Sequence, residues 1–175
     1  MKDFSELISI RRSHRKFTGE PVSEEMLQKI LRAGLMAPSS KGLHSYEFVA
    51  VTEKEKIEAL SHCKAMGADF VAEAPLAIVV LANPEVSDVW VEDASVASTM
   101  MLLQAEDLGL GACWVQIRDR KDKEGRSAED NVRSLLCIPQ EMRVVSIIAI
   151  GHKGMERKPQ NEERLKWEKA HREKW

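Results

Sequence analysis

The run LAIVVLA at residues 76–82 contains seven apolar residues and no polar one. A strand with one solvent-facing side alternates apolar with polar residues, whereas a strand buried on both faces does not. The run VVSIIAI at 144–150 is also apolar except for Ser146 and shows no alternation. Both runs predict strands of a sheet that is covered by helices above and below. Two further runs complete the predicted sheet: EFVAVT at 47–52 and ACWVQI at 112–117.

Helices are predicted in the intervals between these strands. Ser23 precedes Glu24 and Glu25, the polar cap and acidic first turn that typically begin a helix. Two more helix starts are predicted by capping-box spacing: Asp3 with Glu6, and Thr52 with Glu55.

The longest predicted helix covers 89–108 and is rich in small residues. Its consecutive apolar residues at 100–103 point in every direction, and a helix that is apolar all round is buried all round. We therefore expect it at the centre of the domain or against a second copy of the chain. The charged stretch DRKDKEGRSAED at 119–130 is predicted to be a surface loop.

Composition restricts the class of protein. A chain of 175 residues predicts one domain, 1–175. The balance of 26 Lys and Arg against 28 Asp and Glu argues against a general nucleic-acid binder. No secretory signal or membrane span is predicted, and three scattered cysteines are typical of a reduced, cytoplasmic protein. The histidines lack metal-ligand spacing, so no metal site is predicted.

A local cluster of cations stands out against this slightly acidic background. The stretch IRRSHRKF at 10–17 contains Arg11, Arg12 and Arg15 around the hydroxyl of Ser13. Two such charges 4 Å apart repel by about 1 kcal/mol in water, and the forked donors of arginine suit a phosphate group. The alternative from the residues alone is a helix C-terminus with solvated cations, which the helix dipole also favours.

Two other stretches have a composition that permits ligand binding. APSSKGLHSYEF at 37–48 places a proline, hydroxyls and a glycine between a predicted helix and the first strand, where an ordinary loop is the simpler interpretation. GLGACWVQI at 109–117 leads into a strand whose residues could line a pocket. The chain contains no phosphate-binding Walker motif, dinucleotide fingerprint or nucleophile elbow. If the protein is an enzyme, a cofactor is expected to supply the chemistry.

Taken in order, five motifs resemble those of the nitroreductase family of FMN-dependent oxidoreductases. The resemblance covers nearly the whole chain. The motifs read IRRSHRKF, LMAPSSKGLHSYEF, EAPLAIVV, LLQAEDLGLGACW and IIAIGHKG.

The resemblance implies an α+β, three-layer fold with a central, mostly antiparallel sheet flanked by helices, in an intertwined homodimer that binds FMN at its interface. Arg11 and Ser13 would hold the phosphate with Arg12 beside it, and Arg15 would approach the pyrimidine edge of the ring. The remaining residues implied to contact the cofactor are Arg157 and Lys158 at the phosphate, Pro38, Ser39, Ser40 and Gly42 from the other subunit, and Trp114, Val115 and Gln116 at the ring.

The resemblance also implies a mechanism. NADH or NADPH would give hydride to flavin N5 and leave, and a nitroaromatic, a quinone or a similar small acceptor would then enter the same cleft in a ping-pong scheme. No side chain is assigned as catalytic, because the cofactor supplies the chemistry.

Two departures from the family pattern bear on this mechanism. Gly42 replaces an asparagine, and Ser45–Tyr46 replaces a Pro–Trp pair. An alternative is therefore a non-catalytic member that carries or senses a ligand. A third possibility is an unrelated interaction protein whose cations bind acidic partners.

The last residues, 160–175, form a predicted C-terminal arm. Trp167, Ala170, His171 and Trp175 fall on one face at helical spacing. Aromatic side chains favour burial, so the arm is expected to pack on a partner subunit, with packing on its own chain or fraying as the alternatives.

Overall fold

The computed structural model describes residues 3–175. Its sheet contains β1 (Tyr46–Val51), β2 (Leu76–Ala82), β3 (Leu110–Gln116) and β4 (Arg143–His152) in the spatial order β1-β2-β4-β3. Neighbouring strands are antiparallel in every pair. The four predicted strands and the mostly antiparallel sheet are confirmed, with boundaries that shift by at most two residues.

Five α-helices connect or flank the strands in the described part of the chain. They are α1 (Phe4–Ile10), α2 (Glu24–Leu35), α3 (Lys54–Ser61), α4 (Trp90–Asp107) and α5 (Ala128–Leu136). Short 3-10 turns lie at Ser40–Gly42, Asp69–Glu73, Glu162–Arg164 and Trp167–Lys169. Among residues 3–175, no helix combines the length and apolar character that a membrane span requires.

The two central strands are buried on both faces, as their apolar runs predict. Alternate residues of β2 belong to two separate cores: Val79 packs towards α3 and α5, and Ile78 packs towards α2 and α4. All seven residues of β2 are buried. The sheet therefore forms the middle of three layers, and the predicted α+β class is confirmed.

The predicted helix starts at Asp3 and Ser23 are confirmed, and the one at Thr52 is wrong. Ser23 caps α2 by accepting a hydrogen bond from the Met26 amide, and Asp3 caps α1 through the Ser5 amide. The capping box of Thr52 with Glu55 is wrong, because α3 begins one residue later with Glu53 at its cap. The 119–130 loop is also shorter than expected, since Ser127 caps α5 and residues 128–130 are its first turn.

The long helix α4 is not buried all round within one chain. Ala94, Ala97 and Met101 face the sheet and are fully buried, whereas Val96 and Met100 are 40% and 37% exposed.

The C-terminal arm is not the continuous helix that the spacing predicts. It contains two short turns, and its tryptophans Trp167 and Trp175 are exposed.

The loop between β3 and α5 is organised by one buried carboxylate. Asp122 accepts hydrogen bonds from the Arg126 Nε at 2.7 Å and the Asn131 Nδ2 at 2.9 Å, and its side chain is 5% exposed. Burial alone would raise the pKa of Asp122, but the hydrogen bonds from Asn131 and Arg126 outweigh it and lower that pKa to about 2. Asn131 also donates to the Cys63 carbonyl at 3.0 Å, which ties this loop to the segment after α3.

The Asp122 contacts predict a defined pH dependence of stability. Because the folded pKa of about 2 lies below the ordinary value of 3.8, the stabilisation is complete above that ordinary value and is lost as pH falls towards 2. The variant Asp122→Asn should therefore melt at a lower temperature than the unmodified protein near pH 6, and the gap should shrink towards pH 2.5.

The measurement is the melting temperature of both proteins between pH 6 and pH 2.5. Asp88→Asn, at an exposed carboxylate, is the control and should show no such trend. A gap between the unmodified protein and Asp122→Asn that stays constant across this range would contradict the account.

Candidate active site

The cationic segment after α1 lies along the free edge of β3. Arg11 ends α1, and the chain then runs beside the strand. Ser13 forms a parallel bridge with Ala112, and the His14 amide donates to the Ala112 carbonyl at 3.0 Å. Beyond Arg11 the segment is therefore not a solvated helix end, because its main chain is bound to the sheet.

A glycine makes this close approach possible. A Cβ atom on Gly111 would lie 2.7 Å from the Cβ of His14, closer than real Cβ contacts allow. Any side chain at position 111 would push the segment away from β3. The position of the cations thus depends on a residue in a distant part of the sequence.

Three of the predicted cofactor residues, Arg11, Ser13 and Arg15, act on Cys113 of β3. Burial raises the pKa of the Cys113 thiol, and the neighbouring Arg15, Ser13 and Arg11 act in the opposite direction. The guanidinium of Arg15 also lies 5.7 Å from the ring centre of Phe70. Arg15 and Ser13 therefore lie beside this thiol on the edge strand, and the charge of Arg11 also reaches it.

Arg12 has a different environment. Its Nη1 donates to the Lys158 carbonyl at 2.6 Å and to the Pro159 carbonyl at 3.3 Å. The Gln160 amide donates to the Ser9 carbonyl at 2.8 Å. Arg12 and the main chain of Lys158 therefore hold the two terminal segments together.

The charge of Arg157 acts on His14 in the same segment. The pKa of His14 is lowered first by burial and then by the charges of Lys153 and Arg157, with Glu106 opposing. Lys153 Nζ forms an ion pair of 2.5 Å with the buried Glu106 on α4. Arg157 thus lies close enough to add its field to that of the N-terminal arginines.

On β3 the three predicted residues divide between the two faces. Val115 is buried in the core beneath α3 and α5, so only its main chain is available to a ligand. Trp114 lies on the other face, where its Nε1 donates to the Gln116 Oε1 at 3.0 Å. Gln116 in turn donates to the Arg118 carbonyl at 2.9 Å.

A further cation, Lys64, was not predicted from the sequence; its Nζ donates to the Gln116 carbonyl at 3.0 Å. Burial is the main cause of a lowered pKa at Lys64, and the charge of Arg120 adds to it. This cation extends the positive edge of β3 beyond Arg15. A single lysine after a helix carries no sequence signal, because only the fold brings it to the strand.

The loop 38–44 is held by a buried carboxylate at the start of α4. Asp93 accepts from the Ser40 amide at 2.8 Å and from the Ser87 hydroxyl at 3.0 Å. Gly42 has a φ of +66°, and its Cβ position is open space. The loop is therefore a fixed structure whose tip is exposed.

Within one chain, this loop and the arginines do not meet. Asp93, which binds the loop, and Glu106, which binds Lys153 beside His14, are 13 residues apart on α4. That separation is about 20 Å along a helix. The structure brings Arg11, Ser13 and Arg15 together but leaves Pro38, Ser39, Ser40 and Gly42 at the opposite end of the sheet.

Comparisons with known proteins agree with this architecture. The sequence pattern described as Nitroreductase family matches residues 8–67 and 59–152. A curated relative from Archaeoglobus fulgidus is 32% identical over 180 residues, covering all of both chains. The NADPH-flavin oxidoreductase of Vibrio harveyi is 29% identical over 87% of this chain and 66% of its own. An FMN-dependent nitroreductase structure from Clostridium difficile R20291 has a TM-score of 0.94 and 44% identity, covering 97% of this chain and 98% of its own.

The fold and the cationic edge of β3 define a flavin-oxidoreductase type of architecture. The match over most of the chain places the protein more closely: it belongs to the nitroreductase family.

The close contact at Gly111 gives a direct test of how the site is built. Gly111→Ala should displace residues 11–15 and lower the free energy of unfolding by about 1–3 kcal/mol, as overpacking does. The amide of His14 should then exchange its hydrogen faster, since its bond to Ala112 is weakened. Hydrogen-exchange mass spectrometry of the peptide containing residues 11–16 measures this effect.

Ala50→Val is the control, because it adds methyl groups at an exposed position of β1. It should leave exchange at residues 11–16 unchanged. Unchanged exchange in Gly111→Ala would show that the segment is not held by its contact with β3.

Proposed function

We propose that this protein is an FMN-dependent oxidoreductase that takes electrons from NADH or NADPH. The observation that carries the proposal is the convergence of Arg11, Ser13 and Arg15 at the edge of β3. Such a set of arginines and a hydroxyl suits an anionic ligand such as a phosphate group. The names of the related proteins from Vibrio harveyi and Clostridium difficile support the choice of a flavin.

The residues present fit the two charged ends of FMN. Arg11, Ser13 and Arg157 would hold the phosphate, and the field of Arg157 already reaches this segment. Arg15 and Lys64 would face the pyrimidine edge, where cations favour the reduced, anionic form. Arg12 and Lys158 would support the phosphate site through the hydrogen bond from the Arg12 side chain to the Lys158 carbonyl.

When bound, FMN supplies hydride transfer between the nicotinamide and an oxidised acceptor. The protein orients both partners and stabilises charge at the ring. Trp114 and Gln116, linked to each other by a hydrogen bond, would set the position of the ring against β3. Nitroaromatics and quinones are the proposed acceptors, in a ping-pong scheme in which donor and acceptor use one cleft in turn.

A second copy of the chain would complete the site. Apolar side chains of α1, the end of α2 and α4 remain exposed on one chain. They are Phe4, Ile8, Leu35, Met36, Val96 and Met100. We propose that a homodimer buries this surface and brings the partner's loop 38–42 to the arginines.

The exposed arm 160–175, with Trp167 and Trp175 in solvent, would pack on the same partner. We propose a cytoplasmic location, consistent with thiols that are not paired in disulfides.

The visible absorption spectrum of the purified protein, with and without added FMN, tests the proposal. Flavin bands should be present and should bleach when NADH or NADPH is added without oxygen, and adding a quinone should restore them. Bands that neither nicotinamide bleaches would favour a ligand carrier or sensor. No binding of added FMN would contradict the proposal.

A pair of arginine variants tests the assignment of the phosphate site. Arg11→Ala removes a charge-assisted contact of about 1.5–3 kcal/mol and should weaken FMN binding by roughly 10- to 100-fold. Arg133→Ala, on α5 where the arginine pairs with Asp130, should leave FMN binding unchanged. Equal flavin affinity in Arg11→Ala and the unmodified protein, measured by fluorescence quenching, would overturn the assignment.

A further inference from the structure

His44 occupies an unusual position at the end of the loop 38–44. Its φ is +46°, and its amide donates to the Ser39 Oγ at 3.0 Å. The residue is exposed, whereas the following Ser45 and Tyr46 are buried. A backbone in the left-handed region, fixed by a side-chain bond, holds this imidazole at the edge of the loop.

The hydrogen bonds around Tyr46 assign the protons of this imidazole. The single hydroxyl proton of Tyr46 is donated to the Ala37 carbonyl at 2.6 Å, because a carbonyl can only accept. The His44 Nδ1, 2.8 Å from the same hydroxyl oxygen, must therefore be the donor in that contact. Burial, reinforced by the charge of Asp93, raises the pKa of Tyr46 and keeps its hydroxyl protonated.

Consequently Nδ1 carries a proton in this contact, and Nε2 is the ring nitrogen that Tyr46 does not engage. Both the neutral and the charged ring keep Nδ1–H bonded to Tyr46, so the ring can exchange a proton without losing its anchor. Tyr46 contacts the ring from β1, and the charge of Asp93 on α4 acts on Tyr46. Lys41 is an exposed cation three residues earlier in the same loop.

The proposed reaction requires such a proton. Hydride brings two electrons and one hydrogen to the acceptor, and one further proton completes the product. A quinone then becomes a hydroquinone, and a nitro group becomes a nitroso group with release of water. Arg11, Arg12 and Arg15 stay charged at all working pH values and cannot supply it.

We propose that His44 of one subunit donates this proton from Nε2 to an oxygen of the acceptor bound at the flavin site of the other subunit. The Nε2–H bond breaks as the O–H bond of the product forms, and the exposed ring regains a proton from solvent. Tyr46 is the positioning residue that fixes the ring. The inference rests on the proposed function and on its dimeric site.

The test separates the two half-reactions of the flavin-loaded protein by stopped-flow absorbance. NADH reduces the flavin in the first half-reaction, and p-benzoquinone reoxidises it in the second, between pH 5.5 and pH 9. The variants are His44→Gln and Tyr46→Phe. The control is His62→Gln, which changes an exposed histidine that contacts Glu58 on α3.

In the unmodified protein, reoxidation by the quinone should slow as pH rises, since the protonated ring is the donor. His44→Gln should slow reoxidation by about 100-fold at low pH and remove this pH dependence, as loss of a general acid does. Tyr46→Phe should also slow reoxidation, because the ring loses the hydroxyl that fixes it. Reduction by NADH and flavin content should be unchanged in all three variants.

Retention of the native pH profile in His44→Gln would overturn the inference. So would an equal loss of both half-reactions, which would indicate damage to the loop rather than loss of a proton donor. Failure of the unmodified protein to bind FMN or to be bleached by NADH and NADPH would overturn the proposed function itself.

Discussion

The contact between the N-terminal segment and β3 determines where the arginines of that segment lie. One hydrogen bond from His14 to Ala112, made possible by Gly111, holds the arginines of the segment beside an edge strand. Without that contact, the repulsion between the charges of Arg11 and Arg15 would favour separate, solvated positions, and no organised site would form. The ion pair of Lys153 with buried Glu106 supports the other side of the same segment.

The second constraint is the length of α4, which separates the two groups of predicted site residues. Asp93 near its start holds the loop 38–44, and Glu106 near its end faces the cationic segment. Since α4 also exposes Val96 and Met100, the helix both divides the site and offers a surface for a second copy. A symmetric dimer would turn this separation into two complete sites, each with one part from either chain. The exposed His44 would then belong to the site of its partner.

The sequence predicts the sheet well because its central strands are buried on both faces. The strand 76–82 shows an unbroken apolar run, which a surface helix does not have. The cap at Ser23 could also be predicted, because it depends only on the residues next to it. The predicted start of α3 is wrong because Glu53 occupies the cap position without a side-chain capping hydrogen bond, so no capping residue marks it in the sequence. The C-terminal arm has helical spacing but no continuous helix, because a short segment needs a surface to pack against before it forms a stable helix.

The candidate site could be predicted only where residues adjacent in sequence carry it. Arg11, Ser13 and Arg15 lie within five positions, so their pattern is visible in the chain. Lys64 is placed at β3 by the segment after α3, which the Asp122 loop holds through Asn131, and no local pattern marks it. The role of Tyr46 as an acceptor for His44 likewise depends on its bond to Ala37, nine residues earlier in the chain.

The central claim is that each complete site takes the arginines from one chain and the loop 38–44 from the other. It is tested most directly by mixing two variants, Arg11→Ala and Asp93→Ala, each confirmed to be folded and to bind FMN poorly by itself. After unfolding and refolding together in equal amounts, half of the dimers should be mixed, and each mixed dimer should contain one intact site and one doubly altered site. High-affinity FMN binding should then return to about a quarter of all sites. If binding in the mixture stays at the level of the separate variants, both parts of the site belong to one chain and the account is wrong.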